Sequence, residues 1–349
     1  MLNKKITIIL LIKGRPYFTE RWLDYVNKNF NDLNVIVADG SIAEEKYIIS
    51  KNLFPNINIY TPNFPYDLNV VTYQNKILES INLVKTEYVC MMSNDDFIFK
   101  DSFESVIKFL DKNQDYSAGR GDIIDFAINS INPKENIYGN IYAVNKLYHS
   151  VGFENNDVTE RLSEFNRCPN GLWHYILRKS ILKEIIEKAI SNKIVSEQIF
   201  ENLVTYHFLI SGKIYFDSSL YLLHQVHSKM QTVGESFKNF ETEIKQDKVS
   251  YGGFIEILTE LLLNKKELDP YEARNLLIDA SKKNKRVVIA ESLLSSFLKK
   301  IKIKISKILK HNPYLLFILI NIKLKLIPYK SKYKSNIKEI NNFLKKYSV

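Results

Sequence analysis

Cysteine is almost missing from this sequence: Cys90 and Cys168 are the only two in 349 residues, and they form no Cys-X-X-Cys spacing. That excludes a structural zinc knuckle and a disulfide framework, and it fits a reducing compartment. No glycine-rich phosphate loop follows the first apolar run, where only Lys13-Gly14-Arg15 stands, so nucleotide chemistry built on such a loop is disfavoured. A membrane-crossing segment is also lacking. Tyr314 to Ile327 is apolar but carries Asn321, Lys323 and Lys325 and falls short of the roughly 20 apolar residues of a span. The opening run Ile6 to Ile12 ends in Lys13-Gly14-Arg15-Pro16 without a small-residue cleavage site, which makes it a buried strand and not a signal peptide. No internal repeat is present.

What the chain does have is the composition of a folded protein, with 45% hydrophobic and 25% charged residues. At roughly 150 residues per domain its length suggests two units. Its charge is uneven. From Lys299 to Val349 there are 14 lysines, no arginine and one acid, Glu339, a net +13 within a total of +10, which leaves the remainder at −3. A protein reading nucleic acid would carry the basic patch on its globular body. Here the positive charge belongs to a tail, so no nucleic-acid partner is expected.

Apolar runs and helical periods alternate over the first 110 residues. Strands are expected at Ile6 to Ile12, Val35 to Ala38, Ile57 to Tyr60 and Tyr88 to Met92. Helices are expected on the faces Phe18/Trp22/Tyr25/Val26, Ile77/Leu78/Ile81 and Phe103/Val106/Ile107/Leu110. This is an α/β pattern: a mostly parallel sheet flanked by helices, with ligands at the carboxyl ends of the strands. Asp111 to Arg167 reads as strands and loops beside the sheet. A strand at Leu172 to Leu177, a helix from Ser180, a second helix from about Ser196 to Ile210 and short strands at Lys213 to Phe216 and Tyr221 to His224 follow. The expected division is a sheet domain over 1–235, a helical appendage over 236–298 and a basic amphipathic tail over 299–349.

Acids stand at two strand mouths. Asp95 and Asp96, after Ser93-Asn94, suit a hard divalent cation, which takes oxygen ligands and bridges to phosphates. Capping of a following helix is the other reading, but Asp101-Ser102 is the more natural cap. At the second strand's end, Asp39 can accept the N–H of a base while Gly40 permits close backbone approach, although a tight turn would use the same residues. His224 and His227, three apart, could ligate a metal. Trp173 and His174 could stack on and hydrogen-bond a bound ligand, or Trp173 could fill the core.

The order of these features over about residues 1–235 resembles the GT-A glycosyltransferases, specifically glycosyltransferase family 2. The resemblance lies in an opening strand and loop at Ile12-Lys13-Gly14-Arg15-Pro16, an Asp39-Gly40-Ser41 turn, a Gln74-Asn75-Lys76 helix segment and the Asp95-Asp96 pair. It implies a GT-A-like fold and transfer of a sugar from a nucleotide-diphosphate donor to a glycan or lipid-linked acceptor. It also implies manganese or magnesium as the metal and inversion at the anomeric carbon. The donor would be held by Lys13, Arg15, Asp39, Gly40, Asn75 and Asp95, and the metal by Asp96 and His224. The general base would be an acid opening a helix that ends about eleven residues later at a glycine. Counting from Gly212 gives Glu201, with Glu197 one turn earlier on the same face. Trp173 and His174 would meet the acceptor. Ser93 stands where the family has the leading acid of its metal motif, and Gln74 where it has arginine. These departures, with Phe200 before Glu201, suggest as an alternative a non-catalytic nucleotide- or glycan-binding relative; a nucleotidyltransferase of similar sheet topology is the other, ranked lower because only Lys13-Gly14-Arg15 follows the first strand.

The tail completes the expectation. At about 100° per residue Leu294, Phe297, Leu298, Ile301, Ile305, Ile308 and Leu309 form one stripe, with Lys299, Lys300, Lys304, Lys307 and Lys310 outside it. The anticipated partner is an anionic membrane surface, and the location is cytoplasmic, peripheral at the inner face. Each lysine near such a surface contributes on the order of 1 kcal/mol. A chain ending at Ser292 is therefore expected to stop co-sedimenting with anionic vesicles that retain the whole chain; equal pelleting of both would contradict the anchor.

Overall fold

The structure is a computed structural model that describes residues 2–129, 137–146, 151–167, 171–226, 240–266, 268–283 and 333–346. These fall into two compact units, one comprising Met1–Ile123, Tyr148–Leu223 and Lys229–Asn284, the other Ile124–Leu147, His224–Ser228 and Lys285–Val349. The second half of the sequence-based division reads differently in space: the helices expected as an appendage belong to the first unit.

Four parallel strands begin the sheet: β1 (Ile6–Ile12), β2 (Leu33–Asp39), β3 (Ile57–Tyr60) and β4 (Tyr88–Met92), in the order β3-β2-β1-β4. All five residues of β4 are buried, and the branched apolar run of β1 is buried at all but one position, as strands covered on both faces require. The sheet continues through β8 (Ile176–Arg178), β6 (Tyr116–Asn129), β9 (Lys213–Gln225) and β5 (Phe97–Ile98), with β7 (Asn140–Lys146) paired antiparallel to β6. The pairings of β4 with β8, β8 with β6 and β9 with β5 are antiparallel. This is the α/β architecture, a sheet flanked by helices, that the sequence leads one to expect.

Helix α1 (Pro16–Asn29) has proline at its first turn and buries Phe18, Trp22, Tyr25 and Val26. Helix α2 (Val70–Leu83) starts in a capping box between Asn69 and Thr72. Helix α3 (Lys100–Lys112) buries the four residues anticipated, yet Phe99 stands at its N-cap without a side-chain bond, and Asp101 lies in its first turn. The acidic pair therefore precedes the short strand β5 and not a cap. Helix α4 (Val158–Arg167) was not foreseen: only Val158, Leu162 and Phe165 carry its apolar face, and its buried Arg161 reads as a surface residue. Arg161 is satisfied by the carbonyls of Asn155 (2.7 Å), Asn156 (2.9 Å) and Leu209 (2.8 Å). Helix α5 (Lys179–Ser191) and helix α6 (Glu197–Ser211) follow, the latter capped by Ser196.

Helices α7 (Phe240–Gln246) and α8 (Lys248–Leu263) then pack on α6, and α9 (Pro270–Lys283) packs on α8 and α4. Phe254, Leu258 and Leu262 share one apolar cluster with Leu203, Tyr206 and Ile210 of α6. The short strands expected at 213–216 and 221–224 are one continuous β9.

In the second unit, helix α10 (Lys334–Lys346) lies on β7, with Asn341 Oδ1 accepting from Ile141 N–H at 2.9 Å. Ile337, Ile340 and Leu344 are buried while Lys334, Lys338 and Lys345 are exposed. The last stretch of the tail thus uses its apolar face inside the protein. The amphipathic stripe over 294–309, the apolar stretch 314–327, His227 and Cys168 lie outside the described residues. Among the described residues no helix is long and apolar enough to cross a membrane.

Leu258 is fully buried in the cluster joining α8 to α6. Leu258→Ala is expected to cost about 2–5 kcal/mol in urea unfolding, as for other buried leucines; a cost near zero would mean that α8 is not part of that core.

Candidate active site

Because β1, β2 and β4 run parallel, their carboxyl ends open on the same side, and each supplies a loop. The β1 loop turns sharply, with Gly14 at φ 66° and Arg15 at φ 59°. The left-handed backbone suits glycine and strains arginine. Gly14 N–H donates to Ser41 Oγ at 2.7 Å, and Asp39 Oδ1 accepts from Ser41 N–H at 2.9 Å and from its hydroxyl. Gly40 N–H donates to Ile12 O at 3.0 Å. Asp39 thus orders the turn in which it stands.

Asp67, which sequence reasoning missed, ties these loops to α2. Its N–H donates to Gly40 O at 2.9 Å and its carbonyl accepts from Lys13 Nζ at 2.6 Å. Its carboxylate pairs with the Lys76 ammonium, which also reaches Ile12 O at 3.2 Å. Lys76 and Asp67 side chains are 1% and 8% exposed, and burial lowers the Lys76 pKa from its ordinary value against the pull of Asp67. A Cβ at Gly40 would come within 2.1 Å of the Asp67 carboxylate, so glycine is required here.

Beside this network opens a cavity of about 400 Å³. Its walls include Lys13, Asp67, Tyr73, Lys76, Ser93, Trp173, His174, Glu197 and Glu201. Five of the residues singled out from sequence, Lys13, Trp173, His174, Glu197 and Glu201, therefore share one space. Trp173 stands edge-on to Tyr73 and Phe200, with ring centroids 6.3 and 5.8 Å apart. Trp173 and His174 lie in the turn before β8, not in a strand. Burial, then Glu201, Asp67 and Glu197, hold the Tyr73 phenol well above its ordinary pKa, so it stays protonated and can donate. Glu197 opens α6, and burial followed by Glu243 raises its carboxyl pKa. The two criteria for the base come apart: Glu197 opens the helix, while Glu201 stands eleven residues before Gly212.

Other expectations are met differently. Asn75 is exposed on α2; the adjacent Lys76 faces the cavity, and Gln74 is buried with its amide on Ile194 O at 2.8 Å. Arg15 and Asp95 bond one another, Arg15 Nη1 to Asp95 Oδ2 at 2.7 Å. Asp96 is 1% exposed, with His174 Nε2 at 3.9 Å from its Oδ2. His224, in the second unit, has Nδ1 3.7 Å from Asp125 Oδ1, and burial raises the Asp125 pKa to about 6.

The GT-A resemblance implies a divalent metal. Among the described residues no three His, Cys, Asp or Glu side chains come together to hold one. The Asp95 carboxylate already has a guanidinium on it. Asp96, the acid the resemblance assigns to the metal, is buried with His174 beside it; a divalent cation shared with a substrate diphosphate needs only one or two carboxylates from the protein, and no step below runs through such a cation.

No family model matches the chain, and no curated protein is similar to it. Solved structures of TarS from S. aureus do match. One of TarS has 14% identity and a TM-score of 0.43, covering 81% of this chain and 44% of that one, so this chain spans less than half of its length. TarS 1-349 in complex with UDP-GlcNAc has 14% identity and a TM-score of 0.44, over 80% of this chain and 72% of that one. TarS 1-349 in complex with UDP has 13% identity and a TM-score of 0.43, over 79% and 70%. Likenesses of this size bear on neither substrate nor mechanism.

Replacing Lys76 by methionine leaves the Asp67 carboxylate buried without its ammonium. Lys76→Met is expected to lower stability by about 3–5 kcal/mol in urea unfolding; a loss below about 1 kcal/mol would show that the pair does not hold the loops.

Proposed function

We propose that the chain is a glycosyltransferase that moves a sugar from a nucleotide-diphosphate donor to a glycan or lipid-linked acceptor. The observation that carries this reading is one cavity at the mouths of parallel strands lined by two lysines of the strand-end network and by two glutamates of α6. Lys13 and Lys76 suit a diphosphate, Asp39 beside the β1 loop suits a base, and the Trp173 face suits a sugar ring.

The reaction asks little more of the protein. An acceptor hydroxyl attacks the anomeric carbon while Glu201 takes its proton. The bond from that carbon to the diphosphate oxygen breaks, and the electron pair leaves with the nucleoside diphosphate beside the lysines. A single displacement inverts the anomeric centre. Tyr73, protonated and in the same wall, can donate to a sugar hydroxyl. The tail's lysines favour an acceptor at an anionic membrane surface on the cytoplasmic side.

Glu201→Gln is expected to keep nucleotide binding and to lower turnover by about 10²- to 10⁴-fold. If Glu197→Gln does so instead, the base is Glu197, and the acid limb of the pH–rate profile should then be shifted upward by its raised pKa. Nucleotide binding without turnover on any acceptor would favour the non-catalytic alternative.

A further inference from the structure

Residues 192–196 join α5 to α6 and lead directly into Glu197. The segment leaves α5 with Lys193 in the left-handed region at φ 53°, Lys193 N–H donating to Ile190 O at 3.1 Å and Ile194 N–H to Ala189 O at 3.0 Å, the paired bonds that close a helix end. From there successive residues are held by different helices. Ile194 O accepts from Gln74 Nε2 of α2 at 2.8 Å, and Val195 N–H donates to Ser250 Oγ of α8 at 3.0 Å. Ser196 Oγ donates to Glu243 Oε2 of α7 at 2.5 Å and accepts from Ile199 N–H at 3.3 Å, capping α6.

Gln74 is 1% exposed and stands outside the cavity wall, although the family resemblance has an arginine at its place. Its amide is spent on the backbone ahead of α6. Ser250 is fully buried, with its N–H and hydroxyl on the Asp247 carboxylate at 2.9 and 2.6 Å. Helix α8 presses on the same segment, since a Cβ at Gly253 would come within 2.9 Å of Ile194 Cδ1. These contacts fix where α6 begins, and a helix is stiff over a single turn. Glu197 and Glu201 therefore enter the cavity wall at a set place relative to Tyr73, which shares α2 with Gln74.

We propose that Gln74 and Ser250 are positioning residues for the glutamates of α6, which they hold in the cavity wall through the backbone of Ile194 and Val195. The proposal rests on the glycosyltransferase reading for the role of those glutamates. It moves position 74 from the donor to the side of the site that activates the acceptor.

The first test needs no substrate. The Glu197 carboxyl of the full chain is titrated by carbon-detected NMR, its signal assigned by its loss in Glu197→Gln. Burial, then Glu243, holds that carboxyl above its ordinary pKa, and Tyr73, His174 and Glu201 share the wall with it. Gln74→Met, similar in volume but without the donor, and Ser250→Ala each loosen the segment and admit water. Both should move the titration down by about half a unit or more. Leu258→Ala weakens the core between α8 and α6 without touching the segment, and should leave the titration in place. A folded Gln74→Met or Ser250→Ala chain whose Glu197 titrates as in the wild type overturns the role of that residue, and an equal shift in Leu258→Ala overturns the proposal. Should one of the two variants not fold, the other decides.

The second test is release of nucleoside diphosphate from a panel of nucleoside-diphosphate sugars. Both variants should lower kcat by about 10- to 100-fold and leave the donor KM within about threefold. A raised KM with kcat intact would return position 74 to the donor and overturn the proposal. If the wild type releases nucleoside diphosphate from none of the panel, the glycosyltransferase reading falls, and the carboxyl titration alone decides whether Gln74 and Ser250 position α6.

Discussion

An ammonium and a carboxylate withdrawn from water hold the mouth of the sheet together. Lys76 and Asp67 are nearly inaccessible, and each also serves the backbone around it, Lys76 at Ile12 O and Asp67 through its N–H at Gly40 and its carbonyl at Lys13. The Lys76 ammonium has a second fixed acceptor in Ile12 O, whereas Asp67 Oδ1 is buried without a hydrogen-bond partner among the described residues, so the carboxylate depends on the ammonium beside it. The end of β1, the turn after β2 and the start of α2 are therefore one structure, and the wall of the cavity formed by Lys13, Asp67 and Lys76 is set by it. Gly40 follows from the same contact, since a side chain there would collide with the carboxylate.

A second set of charges organises the mouth of β4. Arg15 reaches the side chain of Asp95 and Arg21 its carbonyl, so the loop after β4 is tied to the loop and helix after β1. The two sets divide the labour of the site. Lys13 stands in the cavity wall, while Lys76 is committed to Asp67 and the arginines to holding loops. The glutamates of α6 arrive from the middle of the chain. Glu197 and Glu201 are one turn apart, which brings both carboxylates to the same space.

Much of this was legible in the sequence, for local reasons. The branched apolar runs of β1 and β4 and the periodic faces of α1, α3 and α5 announce themselves through the solvent they avoid. Lys13, Trp173, His174, Glu197 and Glu201 share one cavity, but the roles of the glutamates came with the family resemblance, and Trp173 and His174 stand in a turn where a strand was expected. The rest depends on contacts distant in sequence. Arg15 and Asp95 are 80 residues apart, and nothing in either segment announces the other. Asp67 lies in a stretch without periodicity, and its role appears only once Gly40 and Lys76 are beside it. On α2 one residue of phase, about 100°, separates exposed Asn75 from buried Lys76. β6 and α4 were obscured by Arg120, Asp122, Asp125 and Arg161, charged residues that are nonetheless buried, so hydropathy pattern alone misassigns their segments.

The account's central claim is that one cavity holds nucleoside and sugar of the same donor. Saturation-transfer NMR on the full chain with a panel of nucleoside-diphosphate sugars tests it most directly. For at least one donor, saturation is predicted to pass to protons of both the base and the sugar, and to be displaced by the corresponding nucleoside diphosphate. A folded protein that transfers saturation to no donor in the panel would contradict the account.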